Sequence, residues 1–150
     1  MVQTKKNLNP FAKIVSEIAS LKRLYPEGKL VYNNKLSFTW EMDVKPTPLS
    51  IVYRIKIVYR YGDIPKVYIV SPFPLDRYPG KSLLPHVYST KEQRICLYYP
   101  GIGEWKKSKL LAFTIVPWAS EWLQFYEIWL SIGEWLGEGI HPIKKDEIND

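Results

Sequence analysis

Residues 36–70 read LSFTWEMDVKPTPLSIVYRIKIVYRYGDIPKVYIV, and their periodicity decides the fold. Leu36, Phe38, Trp40, Met42 and Val44 alternate with Ser37, Thr39, Glu41 and Asp43. A period of two is that of a strand with one buried and one wet face. KPTPLS (45–50) carries two prolines and reads as a loop. A second strand follows over 51–61, with Ile51, Tyr53, Ile55, Ile57 and Tyr59 on one face. Gly62-Asp63-Ile64-Pro65 is short enough to connect antiparallel neighbours, and KVYIV (66–70) is the third strand.

A helix precedes this meander. Asn9 is a good N-cap and Pro10 suits the first helical position. Phe11, Ile14, Val15, Ile18 and Leu21 form an apolar stripe; Lys13, Ser16, Glu17 and Ser20 fill the other side. Pro26-Glu27-Gly28 ends it. Beyond the meander, SPFPLDRYPG (71–80) has too many prolines for regular structure and forms a stiffened loop. Trp118, Trp122, Phe125, Tyr126, Trp129 and Ile132 then recur at spacings of three and four, marking a core helix packed on the sheet. Gly133, Gly137 and Gly139 interrupt the pattern, and KKDEIND (144–150) is a charged tail that should fray. The expected class is α+β: N-terminal helix, antiparallel meander sheet, proline-rich loop and long C-terminal helix. No repeat or linker divides the chain, so a single domain over 1–150 is expected, with its core at about 9–136.

Composition narrows the functional classes. The 150 residues are 46% hydrophobic, enough for a core without disulfides, and the lone cysteine suits a reducing compartment, hence the cytoplasm. No apolar h-region follows the basic start, and no uncharged apolar run is long enough to span a bilayer. The net charge of +6 is scattered, with no basic run, so a nucleic-acid-binding domain rests on charge alone. A zinc site would need three or four ligands, and the chain supplies one cysteine and two histidines with no CxxC or HExxH spacing. GIGEWKKSK (101–109) lacks the spacing of a phosphate loop, so no cofactor is expected.

The chemistry concentrates in LPHVYSTKEQRICLYY (84–99), which holds Cys96 and His86. Residue types alone leave Cys96 open between a nucleophile and a small buried hydrophobe between Ile95 and Leu97. The order of features resembles a ubiquitin-conjugating enzyme over roughly residues 10–132. Leu84-Pro85-His86-Val87-Tyr88 is similar to the family's His-Pro-Asn turn, and Ile95-Cys96-Leu97 to its cysteine segment. Trp105 matches the following tryptophan, SPFPLDRYPG the proline-rich approach, and Thr114-Ile115 the start of the central helix. Leu84 replaces the turn's His and His86 its Asn, and the family's last helices are expected to be missing. These departures resemble the compact bacterial branch of antiphage (CBASS) operons. So do Pro117-Trp118, Glu121-Trp122-Leu123, Phe125-Tyr126-Glu127, Trp129-Leu130 and Gly139-Ile140-His141-Pro142.

The resemblance implies a thioester relay. An exposed Cys96 thiol would accept the C-terminal acyl group of a carrier protein from an activating enzyme and pass it to an amine. In the CBASS setting the implied carrier is a cGAS-like nucleotidyltransferase. His86 would donate to the oxyanion or take a proton from the amine; the alternative is that it only pins the turn. Tyr88, Tyr98 and Tyr99 are candidates for walling the carrier-tail groove, or ordinary strand aromatics. Trp105 reads as scaffold, and His141 only as part of a turn. The competing functional class is a noncatalytic binding module of the same fold.

Overall fold

The computed structural model describes residues 9–97 and 109–137. Helix α1 (Pro10–Leu24) leads into strands β1 (Lys29–Asn34), β2 (Ser37–Val44), β3 (Tyr53–Arg60) and β4 (Lys66–Ser71). Two short strands, β5 (Val87–Ser89) and β6 (Arg94–Ile95), precede a 3-10 turn (Leu111–Phe113) and helix α2 (Ile115–Ile132). The strands form one antiparallel sheet in the order β1-β2-β3-β4-β6-β5. This is the α+β architecture expected from the sequence.

The meander has four strands rather than three. KLVYNN was missed because β1 is an edge strand with five of its six residues exposed, so no buried face stamps a period on it. Within β2 and β3 the alternation holds: Phe38, Trp40, Met42 and Val44, then Tyr53, Ile55, Ile57 and Tyr59, are all buried. Leu36 and Ile51 were expected on that face, but they lie just outside the strands and are exposed. The polar face carries Arg54, which bonds Glu41 at 3.3 Å and Asp43 at 3.1 Å.

Asn9 caps α1 as expected, its Oδ1 accepting from the Phe11 N–H at 3.0 Å. The helix face is rotated from the expected one. Ile14, Ile18 and Leu21 are buried, but Phe11 and Val15 are exposed, and Lys13 and Glu17 point inward. Polar backbone at the entry to α2 recruits those two charges. Lys13 Nζ donates to the Lys109 carbonyl at 3.2 Å, and the Leu111 N–H donates to Glu17 Oε1 at 3.1 Å. Tyr25 adds a third tie, its hydroxyl donating to the Ala112 carbonyl at 3.1 Å.

Pro117 sits in the first turn of α2, where its missing N–H would have had no intrahelical partner. Trp122, Tyr126 and Trp129 are buried, whereas Ile132 is exposed. Gly133 closes the helix at φ 77, and its N–H donates to the Trp129 carbonyl at 2.7 Å. Among the described residues no helix is long and apolar enough to cross a membrane.

Candidate functional site

The loops around the cysteine are fastened from two sides. From below, the Gln93 side chain is buried under the proline-rich loop: Nε2 donates to the Ile69 and Pro72 carbonyls at 2.9 and 3.1 Å, and Oε1 accepts from the Leu75 N–H at 2.7 Å. Buried backbone groups in a proline-rich segment lack strand partners, and an amide that both donates and accepts can satisfy several at once. From the side, α2 reaches out. The Tyr126 hydroxyl donates to the Asp76 carbonyl at 2.6 Å. Glu127 accepts from the Ser50 hydroxyl at 2.6 Å and the Tyr53 hydroxyl at 3.0 Å. Burial first, then the Glu127 carboxylate, raises the Tyr53 phenol above its ordinary range. Leu84 is tied down by its N–H, which donates to Thr90 Oγ1 at 3.0 Å.

His86 adopts φ 51, in the left-handed region. Asn and His are among the few residues other than Gly that tolerate this conformation, so His is a conformationally sound replacement for an Asn in such a turn. Its backbone turns the carbonyl inward, where it accepts two hydrogen bonds: from the Cys96 N–H at 3.1 Å and from Trp122 Nε1 at 3.0 Å. The structure therefore brings His86 and Cys96 together through the backbone. His86 is 6% exposed, and its imidazole meets the Trp135 ring edge-on, with centroids 5.3 Å apart. Trp135 also packs on Trp122 and Phe125.

Cys96 is 4% exposed, which corrects the expectation of an open surface thiol. It lines a cavity of about 640 Å³ whose described walls are His86, Leu97, Lys109, Glu121, the aromatic residues Trp118, Trp122, Phe125 and Trp135, and the stretch through Gly137. The α2 aromatics thus divide: Tyr126 and Trp129 are core, while Trp118, Trp122 and Phe125 also face the cavity. Tyr88 does not line this cavity. Val87 and Ser89 are the buried residues of β5, and the Arg94 guanidinium stands 4.5 Å over the Tyr88 ring. Tyr98, Tyr99, Trp105 and His141 fall outside the described residues. Sequence reasoning missed Trp122 and Gln93 as site supports. Trp122 was visible as one member of a helical stripe and of the Glu121-Trp122-Leu123 segment of the resemblance, neither of which marks a hydrogen-bond donor to the turn, and Gln93 carried no periodic signal.

Residues 17–142, most of the chain, match the family described as type II CBASS E2 protein. The chain belongs to that family. It is thus an E2-like protein of CBASS antiphage operons, consistent with an E2-like role in antiphage defence. No curated protein matches the chain.

Proposed function

We propose that this CBASS E2 protein is a cytoplasmic cysteine transferase that carries the C-terminal acyl group of another protein as a thioester on Cys96. The observation that carries the reading is Cys96 at the cavity wall, its backbone fastened to a left-handed His86, in a chain of the CBASS E2 family. In the first step the Cys96 thiolate attacks the carrier's activated C-terminal carbonyl, the activating group leaves, and a thioester forms. In the second step an amine attacks that carbonyl, the C–S bond breaks, and the thiolate departs as an amide forms and the amine loses a proton. The carrier is a cGAS-like nucleotidyltransferase, supplied by an activating enzyme. His86 donates an N–H to the developing oxyanion or takes the amine's proton. Tyr88, Tyr98 and Tyr99 are the remaining candidates for contacts to the carrier's tail.

The burial of Cys96 favours a second reading, a noncatalytic module that only binds partners. One experiment separates the two. The protein is incubated with the nucleotidyltransferase, an activating system and ATP, then run on a nonreducing gel. A thiol-sensitive adduct that disappears in Cys96→Ala supports the transferase. Complex formation with no adduct supports the binding module.

A further inference from the structure

One residue that holds the Cys96 turn belongs to neither the turn nor the cysteine strand. Trp122 lies on α2, 3% exposed, and its indole N–H ends on the His86 carbonyl at 3.0 Å. That same oxygen takes the Cys96 N–H at 3.1 Å, so one acceptor joins the helix, the turn and the cysteine strand. The Trp122 ring is itself held. It stacks on Tyr126 with centroids 5.6 Å apart and planes 5° from parallel, and Tyr126 is anchored to the proline-rich loop through Asp76. It also packs on Trp135, which touches the His86 imidazole.

The conformation of His86 makes this bond consequential. A residue with a side chain at φ 51 is held there by its surroundings, because the left-handed region is sterically disfavoured for every residue but Gly. Rotation about the His86 N–Cα bond, which would relax φ, would swing the carbonyl away from both donors. It would also re-aim the Cβ that carries the imidazole and loosen the Cys96 backbone. A hydrogen bond from a rigid, buried indole opposes that rotation.

We infer that Trp122 is a positioning residue for the Cys96 reaction, fixing the His86 carbonyl and through it the placement of thiol and imidazole. The inference rests on the reading of Cys96 as the nucleophile. Trp122 touches neither carrier nor acceptor in this role; it acts through the peptide of His86.

The test is Trp122→Phe, which keeps an aromatic ring for Tyr126 and removes the N–H. A second variant places the sulfur isostere of tryptophan, benzothienylalanine, at position 122, preserving shape should the phenylalanine protein fail to fold. Two readouts are taken. The first is single-turnover discharge of a preformed Cys96 thioester to free lysine, expressed as a rate constant per loaded molecule. It is expected to fall about tenfold, the kinetic equivalent of one lost hydrogen bond. The second is the pH profile of Cys96 alkylation by iodoacetamide, which needs no carrier; its midpoint is expected to differ from that of the wild-type protein. A purely structural Trp122 would lower the melting temperature and the loaded amplitude but leave both readouts in place, and that result overturns the inference. Should wild-type protein form no thioester at all, the transferase reading fails on its own, and the alkylation profile still decides whether Trp122 governs the thiol.

Discussion

Glu17 offers the most quantitative test of the fold around the site. Its carboxyl is fully buried on α1, with Lys13 at 3.9 Å and the Leu111 N–H on Oε1; Oε2 has no hydrogen-bond partner among the described residues. Burial raises its pKa from 4.5 to about 7, against the smaller opposing effects of Lys13 and the Leu111 N–H. The sign follows directly. Between those two values the folded protein retains a proton that the unfolded chain has lost, so stability falls as pH rises through this window and levels off above about 7. At 1.36 kcal/mol per pH unit, the full effect approaches about 3 kcal/mol. Glu17→Gln removes the charge while leaving an amide oxygen for the Leu111 N–H. It also strips Lys13 of its ionic partner, so the net gain at pH 8 is about 1–3 kcal/mol, or roughly 3–10 °C in Tm, with little change at pH 5. Urea denaturation of both proteins from pH 4.5 to 8.5 measures this. Parallel stability curves, or a Glu17→Gln protein that is less stable at pH 8, would show that the Lys13–Glu17 pair outweighs the burial of its charge and refute the reasoning.

His86→Ala should lower thioester transfer by about 10²–10³-fold if the imidazole serves the oxyanion, and cost about 1–2 kcal/mol because alanine tolerates φ 51 poorly. His86→Asn should keep the stability, so single-turnover rates and melting curves of the two variants together separate chemistry from backbone. Gln93→Ala removes three hydrogen bonds, two of them buried, from the proline-rich approach and should cost about 2–4 kcal/mol in denaturant unfolding. Gly28→Ala would drive a methyl group into the Trp40 indole, and overpacking there should cost about 1–3 kcal/mol by the same measurement.

Where burial follows a simple period, the sequence was legible. The inward faces of β2 and β3 and the limits of α1 follow from alternation, Asn9, Pro10 and Pro26. Legibility ended where polar groups do the organising. A stripe drawn on hydrophobicity assigned Phe11 and Val15 to the core and Lys13 and Glu17 to solvent. The reverse holds because the segment entering α2 presents backbone groups that need charged partners. Strand β1 has no buried face to read, and β5 and β6 are too short for any period. At the site, the motif order singled out Cys96 and His86 as a pair but not the means of joining them. Which donors a backbone carbonyl accepts from leaves no trace in residue spacing. The left-handed turn was nevertheless encoded, in the exchange of one residue tolerant of that conformation for another.

Helix α2 meets three loops through adjacent side chains: Gln124 donates to the Pro46 carbonyl, Tyr126 to Asp76, Trp122 to His86, and Glu127 gathers Ser50 and Tyr53. The cysteine segment is consequently not a portable module. Grafting residues 84–97 onto another scaffold would carry over the thiol and imidazole but abandon the bond that holds their turn. Conversely, side chains are free to vary where the helix grips backbone carbonyls, at Pro46 and Asp76, whereas Ser50 is held through its own hydroxyl. Redesign of the loops for new partners therefore has latitude in residue identity and little in backbone path.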